Sequence, residues 1–378
     1  MKLAFCLFKY FPYGGLERDF IRIASLCRQH RHEIHVYTMA WQGEVPEGFR
    51  LTLVPVSGVT NHGRCASFAR SVAPLIRAER YDVVAGFNRM PGLDVYYGAD
   101  VCFEAEARER KAFWYVLTPR YRLYSAFESA VFSPEERTEI LLISDQERRN
   151  YRKYHGTPEK RLHMLPPGVS RDRVPASPES AAEARRVVRE SLSIGPDGNV
   201  LLMVGSDYKR KGVDRSLRAL ASLPAALREN TSLCVVGKDD PRAFERLARR
   251  LQVASQTKFL GVRDDVPGLL QAADVLLHPA YSENTGTAIV EALAAGLPVL
   301  ATSVCGYAPH VERAGAGLLV SAPFQQGEMN AKLERALSSG ELPGWREHAL
   351  DYGKSTDLYG LVERAAEFIE DVGRRRSS

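Results

Sequence analysis

Residues 278–302 read HPAYSENTGTAIVEALAAGLPVLAT. The stretch parses as a strand end, a tight polar loop, a short helix, a glycine stop and a second strand. Thr285, Gly286 and Thr287 can open the helix, Gly296 ends it, and Pro298 prevents it from continuing. Between Glu283 and Glu312 the only acidic or basic side chain is Glu291, set among Ala, Ile, Val and Leu. An ionised carboxylate in such surroundings is costly unless something binds it. Glu291 lies one helical turn after Thr287, and helical side chains lean toward the N-terminus, so it looks back toward the loop carrying Glu283. The helix start offers unpaired N–H groups and a positive dipole end, a cradle for phosphate. One carboxylate can accept both hydroxyls of a ribose, which leaves Glu283 facing whatever lies beyond the diphosphate. The alternative is that Glu291 only answers the helix dipole.

Working outward, strands alternate with helices through both halves, which implies parallel α/β sheets covered on both faces. At 378 residues two domains are expected, each large enough for its own core. LAFCLF reads as a buried strand, FPYGG as a turn, LERDFIRIASLCRQ as an amphipathic helix and HEIHVYTMA as the next strand. The glycine turn sits where open α/β sheets bind ligands, and Gly14 and Gly15 let backbone approach a phosphate or sugar. G-x-G-x-x-G is absent, which counts against a nicotinamide or flavin cofactor. Asp19, one turn into the helix, either leans back into the cleft or is a favourable first-turn charge. YDVVAGF reads as a strand followed by a loop holding Asn88, Asp94 and Asp100, with Asp94 a turn or capping residue. TEILLIS reads as the last strand of this half, and Pro166, Pro167 and Gly168 as the crossing to the second.

In the second half VLLMVG is a strand and SDYKRKG its turn. Lys209, Arg210 and Lys211 there are either solvated or, at the C-terminal end of a strand, partners for a diphosphate. Arg263 in GVRDDV either reaches a ligand or pairs with Asp264 or Asp265. Residues 103–132 interleave Phe113, Trp114, Tyr115, Tyr121, Tyr124 and Phe127 with Arg108, Arg110, Lys111, Arg120 and Arg122, and Pro119 breaks the stretch in two. Such a segment suits an anionic bilayer surface, with Trp114, Tyr115, Arg120 and Arg122 as contacts; alternatively its aromatics pack into the core.

Composition narrows the class. A 45% hydrophobic and 26% charged chain is ordinary for a soluble protein, and no apolar run approaches a membrane span. A net charge of +5 is mild and does not suggest nucleic-acid binding. The six cysteines are scattered with no metal-binding spacing, which suits core thiols in a reducing cytosol. The N-terminus reads as a first strand rather than a signal peptide.

The two glutamates, with seven residues between them, resemble the donor site of retaining GT-B glycosyltransferases of family 4. KLAFCLFKYFPYGGLERDFIRIAS, GFNRMPGLDVYYGADVCFE, GSDYKRKGVDRSLRALASLP and HPAYSENTGT are together similar to the lipopolysaccharide core glucosyltransferase I family of Gram-negative bacteria. The resemblance implies two Rossmann-like domains facing a cleft: an acceptor domain at 1–165, joined by a returning helix at 358–378, and a nucleotide-sugar donor domain at 166–357. It implies transfer of glucose from UDP-glucose to a heptose of the heptosylated lipid A core, with retention and without metal or other cofactor. It assigns Asp100, Glu283 and Asp19 to the sugar end. Gly14, Gly15, Arg210, Lys211, Arg263, Thr285, Gly286, Thr287 and Glu291 fall to the donor, with Arg263 near the base. An enzyme of this kind is expected in the cytoplasm, peripheral on the inner face of the inner membrane. The rivals are a nucleotide-sugar epimerase of similar architecture, which needs no acceptor, and a non-catalytic protein organising lipopolysaccharide assembly. The latter would not need the paired glutamates and the diphosphate bases together.

Overall fold

Apolar runs bounded by glycine or charge become strands buried on both faces, and they set the architecture. In this computed structural model residues 1–12, 14–110 and 113–377 are described. The chain divides into two units, Met1–Gly168 with Gly360–Ser378, and Val169–Tyr359.

In the first unit the strands are β1 Lys2–Cys6, β2 Lys9–Tyr10, β3 Glu33–Thr38, β4 Ala40–Trp41, β5 Phe49–Leu53, β6 Val83–Gly86, β7 Val95–Gly98, β8 Glu139–Leu142 and β9 Leu162–Met164. Seven form a parallel sheet in the order β5-β3-β1-β6-β7-β8-β9, and β2 pairs with β4 beside it. Alternation along β1 serves both faces. Leu3 and Phe5 pack with Phe20 and Ile23 of the helix Gly15–Gln29, and with Leu361 and Ile369 of the closing helix Leu361–Ser377. Ala4 and Cys6 pack with Phe68 and Val72 of the helix Asn61–Glu79, and with Phe132.

Several features differ from the sequence expectation. DVYYG is not loop: Val95–Gly98 is a fully buried strand between β6 and β8, and the preceding Asp94 accepts the Val84 N–H at 2.9 Å. TEILLIS is not the last strand, because Leu162–Met164 adds one more before Pro166 can end the ladder. The strand Phe49–Leu53 and the helix Asn61–Glu79 had no counterpart in the reading. Gly168 belongs to the first unit rather than beyond a boundary at 165. Its carbonyl accepts from Arg22 Nη1 at 3.1 Å, and a Cβ there would lie 3.1 Å from Leu361.

The second unit holds β10 Asn199–Val204, β11 Thr231–Val236, β12 Thr257–Gly261, β13 Val275–His278, β14 Val299–Thr302 and β15 Gly317–Val320, in the parallel order β12-β11-β10-β13-β14-β15. Strand order therefore reverses between β10 and β13, and such a switch point opens a crevice beyond the strands' C-terminal ends. The first sheet reverses in the same way between β1 and β6. All six cysteines are buried free thiols.

A buried carboxylate organises one end of the first unit. Glu128, fully buried in the helix Pro119–Phe132, accepts from the Phe103 N–H at 2.7 Å, the Glu104 N–H at 2.9 Å and His155 Nε2 at 2.9 Å. Arg89 pairs with it, and the Cys102 thiol reaches it at 3.7 Å. Burial works to raise this carboxyl, but the Arg89 charge and the hydrogen bonds hold it below its ordinary value. The donor atoms of Cys102, Glu128 and His155 lie within 4.8 Å of one another, and they are spent on each other. Glu128→Ala would strand the Arg89 guanidinium and two helix N–H groups. It should cost about 3–5 kcal/mol, read by denaturant unfolding. A loss below about 1 kcal/mol would show the cluster to be dispensable.

Candidate functional site

At the switch point of the second unit two loops are stapled together. After β10 the chain makes one helical turn, Tyr208–Lys211, capped by Asp207 and closed by Gly212 in the left-handed region at φ 78°. Only glycine fits there, since a Cβ would stand 2.2 Å from the Pro279 carbonyl oxygen. Arg215 donates to the Pro279 and Ala280 carbonyls at 3.0 Å each, and the Tyr281 N–H donates to the Arg210 carbonyl at 2.8 Å. The loop after β13 thus lies directly on the basic turn.

That contact brings Glu283 onto Arg210 and Lys211. The carboxylate accepts from Arg210 Nη1 at 2.7 Å and from Lys211 Nζ, and its side chain is 11% exposed. His278 Nε2 stands 3.6 Å away, too far for a hydrogen bond. Burial works to raise the Glu283 carboxyl, but the facing His278 and the Lys211 ammonium reverse this and hold it far below the usual carboxylate range. Burial lowers His278, against the opposing pull of Glu283.

The helix Thr287–Ala294 starts from Gly286, at φ 81°, which has no side chain to cap it. Of its first-turn amides, that of Ile289 bonds the Gly286 carbonyl at 2.8 Å. Glu291 is buried on this helix and meets Arg173 Nε at 3.5 Å. Arg173 was not singled out from the sequence. It lies in the single turn Arg171–Arg173, and no periodicity or motif marks it. Arg263 makes the ion pair that was its alternative, with bonds of 2.8 and 2.6 Å to Asp265.

In the first unit Gly14 precedes the helix Gly15–Gln29 with extended φ, and the atom nearest to an added Cβ, Glu17 Oε2 at 1.7 Å, is the movable end of a side chain. Gly15 has open space around its Cα. Asp19 is buried and accepts from Tyr97 Oη at 2.8 Å, while its Oδ1 has no hydrogen-bond partner. Burial raises its carboxyl above the ordinary value. Glu17 is also buried and also raised, first by burial and further by the charge of Asp100. Asp100 itself is half-exposed, 3.8 Å from Arg89 Nη2, with its carbonyl accepting from Tyr151 Oη at 3.2 Å. Glu17, Arg89 and Tyr97 were missed. Glu17 was recoverable from its place two residues before Asp19.

The stretch 103–132 divides into packed and exposed residues. Thr118 caps Pro119–Phe132 by accepting from the Tyr121 N–H, and Phe127 is core. Trp114, Val116 and Leu117 stand exposed in the short turn Phe113–Leu117. Tyr115 turns back onto Phe103 and Tyr121. Lys111 lies outside the described residues. Among the described residues no helix is long and apolar enough to cross a membrane.

Because the folded Glu283 carboxyl is depressed, it contributes stability above its unfolded value of about 4.3, and that contribution drains away as pH falls toward its folded value. Acid unfolding followed by tryptophan fluorescence should therefore be less steep below about pH 4 in Glu283→Gln than in the parent. Identical slopes would mean that the carboxylate is not held low.

Residues 184–354 match the family model described as Glycosyl transferases group 1, and residues 13–173 that described as Glycosyltransferase Family 4. The chain is 47% identical to the lipopolysaccharide glucosyltransferase WaaG of Escherichia coli (strain K12), across 98% of each. A crystal structure of WaaG, described as a glycosyltransferase involved in lipopolysaccharide biosynthesis, superposes with a TM-score of 0.89 at 46% identity, covering 97% of this chain and 99% of that one. Anabaena HepE, solved with UDP and glucose, shares the fold at 20% identity with a TM-score of 0.73, covering 98% of this chain and all of its own.

Proposed function

The chain belongs to the family 4 glycosyltransferases, and on that premise we propose that it moves glucose from UDP-glucose to an inner-core heptose of lipopolysaccharide with retention of configuration. The observation that carries the reading is the Glu283–Arg210–Lys211 cluster at the switch point, together with the uncapped helix start at Gly286. Two cations and a helix start suit a diphosphate, whose arrival would draw Arg210 and Lys211 from Glu283 and release that carboxylate toward the sugar. The cations would then carry the charge of the departing UDP, the work a metal ion does elsewhere. Glu291 would accept the ribose hydroxyls. With its side chain bound to Asp265, Arg263 could meet a base only through a change of partner.

Attack by the acceptor hydroxyl forms the new glycosidic bond as the bond to the diphosphate breaks. The departing phosphate takes the hydroxyl proton on the same face, which preserves configuration. Glu283 and, in the first unit, Asp100 and Asp19 would stabilise positive charge on the sugar and orient the hydroxyl. The exposed Trp114, Val116 and Leu117, with Arg122 nearby in sequence, support peripheral binding to an anionic membrane on the cytoplasmic side.

The deciding experiment is UDP release from UDP-glucose with and without heptosylated core acceptor, after exhaustive EDTA treatment, with the product analysed for mass and linkage. Acceptor-dependent release and an α-linked glucosyl product are expected. Free altered sugar without acceptor would indicate an epimerase, no turnover a binding protein, and rescue by magnesium or manganese a metal-dependent reaction. In the same preparations Glu291→Ala should weaken UDP binding by about 1.5–3 kcal/mol in calorimetry, the value of charge-assisted hydrogen bonds. Unchanged affinity in a folded variant would remove the ribose assignment.

A further inference from the structure

A cavity of the first unit is lined by Arg89, whose Nη2 stands 3.8 Å from Asp100. Its volume is about 280 Å³, near the lower end for small-ligand cavities. Phe103, Tyr115 and Tyr124 supply its aromatic wall, with Phe103 5.6 Å from the Tyr124 ring and 6.3 Å from the Tyr115 ring. Arg89 and Arg120 supply its cations. The two are held differently. Nη1 of Arg89 is spent on Glu128 and on the Val101 carbonyl at 3.1 Å, which turns Nη2 toward Asp100. Arg120 is exposed at the start of Pro119–Phe132, its guanidinium 5.9 Å from the Tyr124 ring centre.

This is the chemistry of an anionic sugar. Aromatic rings cover the C–H faces of a pyranose, and guanidiniums take phosphate in a planar fork. Glu128 does not need Arg89 for hydrogen-bond satisfaction, since two N–H groups and His155 already reach it. The guanidinium is thus anchored through Nη1, with Nη2 turned toward Asp100. We infer that the cavity beside Asp100 binds a phosphate-bearing saccharide unit of the acceptor, and so sets which acceptor presents its hydroxyl at Asp100. Tyr115 and Arg120, grouped by sequence with the membrane-facing residues, serve the sugar instead, while Trp114 and Leu117 face outward. The inference rests on the reading of the chain as a transferase acting on lipopolysaccharide core.

The test uses the full chain and a deacylated, water-soluble heptosylated core oligosaccharide, in a phosphorylated and an enzymatically dephosphorylated form. Deacylation removes any contribution from a bilayer. Arg120→Gln, at an exposed position, should raise KM for the phosphorylated acceptor at least tenfold and leave its UDP affinity within twofold. Against the dephosphorylated acceptor the same variant should resemble the parent. Tyr124→Leu should raise KM for both acceptors. If Arg120→Gln matches the parent on both soluble acceptors, the inference fails, and loss of sedimentation with anionic vesicles by that variant would assign Arg120 to the membrane. If the parent itself glucosylates neither form, the underlying reading of function fails instead.

Discussion

The second unit of this molecule depends on keeping one carboxylate ionised away from water. Glu283 is nearly buried, and an unpaired charge there would cost several kcal/mol. Arg210 and Lys211 offset that cost, and the surrounding backbone is arranged to deliver them. Gly212 exists because the turn carrying the two bases must pass against the Pro279 carbonyl. Arg215 fastens the same strand end from the other side, with its guanidinium between the Tyr281 and Phe324 rings at 3.5 and 3.7 Å. If one of these contacts is removed, the bases and the carboxylate no longer share an address.

The pairing also shapes how a nucleotide sugar would be bound. Arg210 is shared between Asp207 and Glu283, so its charge is nearly balanced before any ligand arrives. A diphosphate must compete with carboxylates already in place, and the net gain is a difference of ion pairs rather than the whole of one. That competition favours a ligand whose sugar offers Glu283 new donors in exchange. A bare phosphate takes the cations and gives the carboxylate nothing, so the same contacts that hold the site together discriminate among anions.

What was legible in the sequence was whatever has a period or an isolated charge. The parallel α/β alternation, the helix after Gly286 and the glutamate pair were visible because Glu291 stands alone in an apolar run and the strands are continuous in Val, Leu and Ile. Val95–Gly98 was read as loop because Pro91, Gly92 and Asp94 punctuate the approach, while the strand itself is only four residues long. Leu162–Met164 was hidden by the prolines that follow it. Pairing partners such as Glu283 with Lys211, or Glu291 with Arg173, are separated by 72 and 118 positions and leave no local trace. The alternatives for Arg263 were written in the sequence, and structure chose the nearby Asp265 because a two-residue spacing lets both carboxylate oxygens meet the guanidinium fork.

The first unit solves the same electrostatic problem with a different balance. Glu128 accepts from two backbone N–H groups and His155 and pairs with Arg89, whereas Asp19 has one oxygen bonded by Tyr97 and the other without a hydrogen bond, 3.5 Å from Arg18 Nε. The two carboxyls accordingly shift in opposite directions, Glu128 down and Asp19 up, although both are buried. A saturated carboxylate is a structural anchor, since any ligand would have to displace a partner. An unsaturated one, raised by burial, keeps a lone pair for a further hydrogen bond. Burial alone therefore does not distinguish the two carboxyls. The number of donors each has already collected does, and by that measure Glu128 is a fixed anchor while Asp19 Oδ1 has room for one more donor.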